Sequence, residues 1–151
     1  MCIRDSFSNK CLNNSPPVTL SNTLVERVNS HKHLGIYLTS TLDWSRQVQD
    51  VCLKTYRKLA VLRSVRNLHR HTLDLLNKLT IRSVIDYGLL VYGSTLKVSD
   101  LKRLEQLQYK AGKLVTGALH LTSSDKINIE LGWETIKTRL ISLVCLFFTK
   151  S

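Results

Sequence analysis

The hydrophobic periodicity of the chain changes once, at Asp43, and this change limits the fold more than any other feature of the sequence. Before Asp43, short segments alternate apolar and polar residues with a period of two, as β-strands do. After Asp43, apolar residues recur every three to four positions, as they do along one face of an α-helix. We therefore predict an α+β fold in which short antiparallel strands precede four to five helices.

The strands are predicted within residues 7–42. Val18–Leu20 and Thr23–Val28 flank Ser21-Asn22, a residue pair that suits a tight turn, so we predict a hairpin there. His33–Leu38 also alternates apolar and polar positions, and we predict that it forms a third strand.

Five helical segments are predicted after the strands. In chain order they cover about residues 43–66, 72–90, 99–117, 124–131 and 134–150. Asp43 and Ser99 carry side chains that suit N-caps, while Gly117 and Gly132 suit the residue after a helix. The last segment is apolar on nearly all sides after Ile141, which predicts neighbours on every side.

The spacing of apolar residues also predicts which helix faces are buried. On the first helix these residues are Trp44, Val48, Val51, Cys52, Thr55, Leu59 and Leu62. On the second helix they are Leu73, Leu76, Leu79 and Val84. On the third helix they are Leu101, Leu104, Leu107, Ala111, Leu114 and Val115. Cys145 lies on an apolar face of the last helix, so it is predicted to be buried as well.

The charge of the chain indicates the kind of partner. Lys and Arg number 22 against 11 Asp and Glu, which gives a formal net charge of +11. Such an excess favours polyanions, with nucleic acid first and anionic membranes second. The four cysteines are scattered without CxxC spacing, and the N-terminus lacks the apolar core of a signal peptide. We therefore expect an intracellular protein, in the nucleus or the cytoplasm, with free thiols.

No catalytic constellation is recognisable in the sequence. The carboxylates are few and dispersed, and no pair of them lies in an apolar strand where it could hold two metal ions. Two HxH pairs occur, His31 with His33 and His69 with His71, but neither has a third ligand at a recognisable spacing. We interpret both pairs as solvated basic segments, and we expect no metal or other cofactor in this chain.

One face of the predicted helix 99–117 is basic. Its residues are Lys102, Arg103, Gln106, Tyr109, Lys110 and Lys113. Cations in a row on a rigid element, with amide and phenol donors between them, suit the phosphates of a nucleic acid. We therefore predict phosphate contacts from the four cations of this face. The alternative is a solvated polar face without a ligand.

The first six residues are unlike the rest of the chain. Met1–Ser6 resembles the translation of an adapter used to build sequencing libraries, and we expect it to be foreign to the natural protein. The alternative is a short native N-terminal segment.

Several short motifs follow one another in order along the chain. They are Lys32-His33-Leu34-Gly35-Ile36 with Leu42-Asp43-Trp44, then Leu59–Arg66, Ser83–Gly88, Leu104–Gly117, and Leu131-Gly132-Trp133 with Arg139. In this order they resemble the end of the polymerase region in non-LTR retrotransposon reverse transcriptases, above all in Jockey-like LINE elements. The resemblance covers about residues 7 to 150. His33, Gln47 and Tyr92 depart from it, because the family commonly has an aromatic residue, a histidine and a tryptophan at these positions.

The resemblance implies that the chain is a fragment of an RNA-directed DNA polymerase. Residues 7–42 would be the end of the palm and residues 43–151 a helical thumb. Lys32 and Gly35 match the family's primer-grip element. The family's two catalytic aspartates, and the Mg²⁺ that they hold, belong to a part of the palm that precedes Phe7, so the fragment alone is not expected to catalyse synthesis. The implied partners are the backbone of an RNA–DNA or DNA duplex and the upstream palm and fingers of the same polyprotein, with no membrane.

Two other functions are compatible with the same residues. One is a stand-alone basic helical module that binds nucleic acid. The other is a domesticated protein-interaction domain, in which the apolar C-terminal helix docks a partner.

Overall fold

The structure is a computed structural model, and it describes residues 5–6, 19–20, 23–24, 26–119 and 121–149. These residues belong to two units, Met1–Gln47 and Val48–Ser151. The first unit holds the strands and the second holds most of the helices. The predicted α+β class is therefore confirmed. The predicted adapter origin of Met1–Ser6 stays a prediction, and most of that segment lies outside the described residues.

The described strands of the first unit form three pairs. They are β1 (Asp5–Ser6) parallel to β4 (Glu26–Arg27), β2 (Thr19–Leu20) antiparallel to β3 (Thr23–Leu24), and β5 (Ser30–His33) antiparallel to β6 (Ile36–Thr39). The β2–β3 pair confirms the predicted hairpin, because Leu20 lies opposite Thr23 across a two-residue connection. The predicted turn residues Ser21-Asn22 lie outside the described residues.

The predicted third strand, His33–Leu38, is wrong because the chain reverses inside it. β5 ends at His33, β6 begins at Ile36, and these two residues face each other in the antiparallel ladder. The two residues between them, Leu34 and Gly35, have φ values of 46° and 82°. Two successive positive φ angles are typical of the tight turns that match the twist of a hairpin. Glycine adopts this conformation at no steric cost, whereas leucine does so rarely.

Helix α1 (Ser45–Ser64) begins two residues after the predicted start at Asp43. The carboxylate of Asp43 accepts hydrogen bonds from the backbone amide of Ser45 at 3.2 Å and from its hydroxyl at 3.0 Å. Such a bond satisfies one of the amides that lack a partner at a helix start. The predicted apolar face is buried at Trp44, Val48, Val51, Thr55, Leu59 and Leu62, while Cys52 is half-buried.

The predicted second helix is interrupted by a change of helix type. α2 (Arg70–Asn77) continues through a π-helical turn (Lys78–Arg82) into α3 (Ser83–Asp86). A π turn holds more residues than an α turn, so it rotates the side chains that follow it around the helix axis. Ile81 inside this turn and Ile85 after it are both buried. Leu79, predicted to point inward, is instead 64% exposed.

Glycines mark the ends of several of the later helices. The chain turns at Gly88, where φ is 74°, before α4 (Leu89–Tyr92) and a 3₁₀ turn (Gly93–Thr95). α5 (Val98–Thr116) ends at Gly117 and α6 (Ser124–Leu131) ends at Gly132, both in the left-handed conformation. The predicted glycine ends are therefore confirmed. The predicted N-cap Ser99 is wrong, because α5 begins one residue earlier and its N-cap is Lys97.

Long-range contacts of the motif residues hold the second unit together. The guanidinium of Arg139 donates hydrogen bonds to both carboxylate oxygens of Asp86, with Nε 2.8 Å from each oxygen. The indole Nε1 of Trp133 donates to Asp74 Oδ1 at 3.0 Å. Several residues of the reverse-transcriptase-like motifs thus contribute to the internal packing of this unit.

Helix α7 (Ile136–Thr149) is packed on one side and exposed on another. Its residue Ile136 is buried, whereas Phe147 is 61% exposed. Cys145 is exposed too, so the prediction that it is buried is wrong. In the described part of the chain, no helix has the length and apolarity needed to cross a membrane.

Candidate nucleic-acid interface

An open groove lies between α1 and α5 in the second unit. Its lining residues are Tyr56, Leu59, Ala60 and Arg63 from α1, and Lys110, Lys113, Leu114 and Ala118 from α5 and the residues that follow it. We call this site the α1–α5 groove. Its volume is about 690 Å³, which lies within the roughly 300–1,000 Å³ of sites that bind small molecules.

Three of the lining residues are cations, and two of these are held against tyrosine rings. Lys110 Nζ donates a hydrogen bond to the Tyr56 hydroxyl at 3.1 Å and lies 4.9 Å from the centre of the same ring. Lys113 Nζ lies 4.7 Å from the centre of the Tyr109 ring. The Tyr109 hydroxyl in turn donates to the Thr122 carbonyl at 2.7 Å. These contacts already restrict the two lysine side chains. The side chains therefore lose less conformational entropy when an anion binds them.

The third cation, Arg63, was not predicted from the sequence. It lies in the last turn of α1 and is exposed. Tyr56, Ala60 and Arg63 are spaced by four and three residues, so they share one face of α1. This spacing is a signal that the sequence carries. The helical wheel of α5 cannot reveal it, because the groove combines two helices separated by about 50 residues.

The predicted basic face of α5 is divided in two. Lys110 and Lys113 line the α1–α5 groove, whereas Lys102 and Arg103 are exposed nearer the start of the helix. Lys102 and Lys113 are eleven residues apart, about 16 Å along the helix axis. Arg103 Nη1 also lies 3.5 Å from the buried carboxylate of Asp100, which offsets part of its charge. The groove therefore unites two of the four predicted cations with Arg63.

The two predicted site residues of the first unit lie in the β5–β6 hairpin. Gly35 occupies its turn, and Lys32 faces Tyr37 across the ladder. Lys32 Nζ is 4.7 Å from the centre of the Tyr37 ring, and the guanidinium carbon of Arg46 is 4.8 Å from it. The backbone amide of Tyr37 donates to Gln47 Oε1 at 2.9 Å. Lys32 of the hairpin and Arg46 of α1 thus lie beside one ring, and Arg46 is an addition to the predicted pair.

The ionisable groups with displaced pKa values lie in the helical packing. Burial raises the pKa of the Cys52 thiol and of the Tyr92 hydroxyl above their ordinary values. Burial lowers the pKa of Arg82, while the hydrogen bonds to Asp86 raise the pKa of Arg139. None of these four residues is among those that line the groove.

Metal ligands are likewise not gathered in the described residues. Within them, no three His, Cys, Asp or Glu side chains lie close enough together to hold a metal ion. His31 and His33 have ring centres 6.3 Å apart on β5. The chemistry that the groove offers is thus the binding of anions by fixed cations beside an apolar surface.

Comparison with known proteins finds a similarity to a transposon polymerase. No protein-family model matches the chain, and no solved structure matches it. A curated protein of Drosophila melanogaster, named as a probable RNA-directed DNA polymerase from transposon X-element, is 30% identical over 130 residues. The match covers 80% of this chain, and the chain spans only 14% of that protein.

Proposed function

We propose that the chain is the thumb-containing fragment of a non-LTR retrotransposon reverse transcriptase of the LINE type, and that it holds the primer–template duplex. The similarity to the transposon polymerase supports the reverse transcriptase family in general. The order of the short motifs supports the finer assignment to the end of the palm and the thumb.

The observation that carries this proposal is the cluster of three cations in the α1–α5 groove. Arg63, Lys110 and Lys113 come from two helices, so their spacing is fixed by packing rather than by one flexible loop. A polymerase must hold a duplex of any sequence, and contacts to backbone phosphates bind without reading bases. The net charge of +11 favours the same ligand, because it attracts nucleic acid over long distances.

The other predicted site residues have secondary parts in this proposal. Lys102 and Arg103 extend the contact along α5 towards its N-terminus. Lys32 and Gly35 contact the end of the primer strand from the β5–β6 hairpin. Catalysis by two metal ions belongs to the palm of the parent polymerase, and the upstream palm and fingers are the protein partners. The fragment acts inside the cell, in the nucleus or the cytoplasm.

Fluorescence titration of labelled RNA–DNA hybrids tests the proposal. Two hybrids of unrelated sequence should bind the wild-type chain with similar affinity at low salt, since phosphate contacts carry no sequence information. The variant R63Q/K110Q/K113Q should weaken both hybrids in the same proportion.

A matched control removes the same charge from other places. K97Q/K126Q/K137Q alters three exposed lysines of the second unit that do not line the groove. It should retain most of the affinity. A strong preference of the wild-type chain for one sequence, or an equal loss in both variants, would contradict the proposal.

A protein-interaction domain is the second candidate, and the exposed side of α7 favours it. Ile141, Leu146 and Phe147 are each more than half exposed on this helix. Exposed apolar side chains are typical of surfaces that bind another protein. Absence of hybrid binding even at low salt, together with association that salt does not weaken, would support this candidate over the polymerase fragment.

A further inference from the structure

The α1–α5 groove is only partly lined by charge. Leu59, Ala60, Leu114 and Ala118 supply an apolar part of its lining beside the three cations. The phosphates of a duplex lie on its outside, so they can meet the cations but offer no apolar surface to the rest of the groove. Water against apolar side chains is unfavourable, and a ligand with an apolar face would displace it. Duplex phosphates alone therefore leave part of the groove unused.

An unpaired nucleotide has the chemistry that the whole groove requires. Its phosphate is an anion, and its base has a flat face that packs on aromatic and apolar side chains. In a duplex the faces of the bases are covered by neighbouring base pairs, so only an unpaired base can present one. Tyr56 is 49% exposed at the groove and supplies an aromatic ring beside the apolar residues.

The size of the groove agrees with this ligand. A volume of about 690 Å³ exceeds what a single phosphate fills and falls within the roughly 300–1,000 Å³ typical of small-molecule sites. Each of the two helices also contributes both a cation and an apolar side chain to the lining. Ala60 and Arg63 are on α1, and Lys113 and Leu114 are on α5. A nucleotide in the groove can therefore meet cations and apolar side chains at once.

We infer that the α1–α5 groove binds unpaired nucleotides of a strand that continues beyond the duplex. The base lies against the apolar lining and Tyr56, and the phosphates lie near Arg63, Lys110 and Lys113. This inference rests on the nucleic-acid binding proposed above and names the ligand more closely. It gives the fragment a preference for a duplex with a single-stranded extension over a blunt duplex.

Three hybrids of the same duplex sequence test the inference. One is blunt, one has a short single-stranded extension, and one has an extension of equal length made of abasic nucleotides. The abasic extension keeps the phosphates and removes the bases. We expect the extension with bases to bind about tenfold more tightly than the abasic one, because stacking of a base on an aromatic side chain contributes on this scale.

A variant that fills the groove locates the effect. Ala60 is exposed, so A60W places a large ring in the groove without removing a cation or a buried side chain. We expect it to bring the affinities for the two extensions close to each other. L53W adds the same ring at an exposed position of α1 that does not line the groove, and it should leave their ratio at the wild-type value. Circular dichroism checks that both variants keep their helices.

The outcomes separate this inference from the proposal on which it rests. Equal affinity of the wild-type chain for the two extensions would overturn the inference, while salt-dependent binding of the blunt hybrid would still support the duplex-holding function. A ratio that A60W leaves at the wild-type value would also overturn it, because the bases would then bind elsewhere. If no hybrid binds at all, the proposed function fails and the inference fails with it.

Discussion

Gly112 allows α5 to pack closely against α6 and against Trp133, which follows α6. A Cβ atom at this position would lie 2.5 Å from Ile127 Cγ2 and 3.4 Å from Trp133 Cζ3. Ile127 is fully buried, so its side chain has little room to move away. The absence of a side chain at residue 112 is therefore a condition of this packing.

We predict that G112A destabilises the chain by about 1 kcal/mol. Overpacking of a core typically costs about 1–3 kcal/mol, and the better helix propensity of alanine offsets up to about 1 kcal/mol of this. The measurement is the free energy of unfolding in urea. Q106A, at an exposed position of the same helix, should change it by less than about 0.5 kcal/mol. A G112A protein more stable than the wild type would contradict the packing.

The buried hydroxyl of Tyr92 predicts a loss of stability at alkaline pH. Tyr92 is fully buried, and burial raises its pKa above the ordinary value of about 10. The unfolded chain releases this proton near pH 10 while the folded chain keeps it, so the contribution is fully present below pH 10 and decreases above it. The decrease is at most about 1.4 kcal/mol per pH unit.

Substitution by phenylalanine isolates this effect. Y92F removes the ionisable group together with the long 3.4 Å hydrogen bond that the Tyr92 hydroxyl donates to the Ile85 carbonyl. The free energy of unfolding of Y92F should therefore fall less steeply than that of the wild type as the pH rises above about 10. Parallel curves for the two proteins would show that Tyr92 ionises normally in the folded chain.

At the scale of helices, the pair of Asp86 and Arg139 joins α3 to α7. Both side chains are mostly buried, and the guanidinium donates to both carboxylate oxygens. Removal of one partner would leave the other charge poorly solvated. We predict that R139Q lowers the free energy of unfolding by about 2 kcal/mol.

A more exposed ion pair provides the control for this prediction. Arg70 Nη1 lies 2.7 Å from Glu130 Oε1, with both side chains nearly half exposed. Pairs of this kind contribute at most about 1 kcal/mol, so R70Q should cost clearly less than R139Q. Chemical unfolding of the two variants side by side makes the comparison, and equal losses would refute the structural role of the Asp86–Arg139 pair.

Several helix ends, though not the start of α5, were predictable from the sequence because their signals are local. Asp43, Gly117 and Gly132 act through the backbone of their own helix ends, and all three do in the structure what the sequence indicates. The π-helical turn was not predicted, and one of its contacts comes from another helix. Lys58 Nζ on α1 donates to the Thr80 carbonyl inside this turn at 2.9 Å. Leu79 is six residues from Leu73, and that step already turns it about 120° away around an α-helix, so its exposure does not require the π turn.

The turn at Leu34-Gly35 was missed for a different reason. Most tight hairpin turns carry asparagine or aspartate before the glycine, and leucine gives no such signal. Apolar and polar positions also alternate through the turn itself, from His33 to Leu38, so the pattern resembles one continuous strand. The observed hairpin still keeps Lys32 and Gly35 within one small element, as their proposed role requires.

At the scale of the whole molecule, the candidate site depends on the pairing of two helices. The sequence predicted Lys110 and Lys113 because they share a face of one helix. Arg63 and Tyr56 join them only through the packing of α1 beside α5, which periodicity cannot specify. Lys102 and Arg103 do not line the groove, and Arg103 Nη1 lies 3.5 Å from the Asp100 carboxylate.

The salt dependence of hybrid binding tests most directly whether this groove holds nucleic-acid phosphates. The logarithm of the binding constant should fall linearly with the logarithm of the salt concentration, with a slope of roughly −0.9 per phosphate neutralised. R63Q/K110Q/K113Q should flatten this slope by about 2.7 units if each cation meets one phosphate. K97Q/K126Q/K137Q loses the same charge elsewhere and should keep the slope close to the wild-type value. A groove variant that retains the wild-type slope, or a control that flattens it equally, would contradict the account.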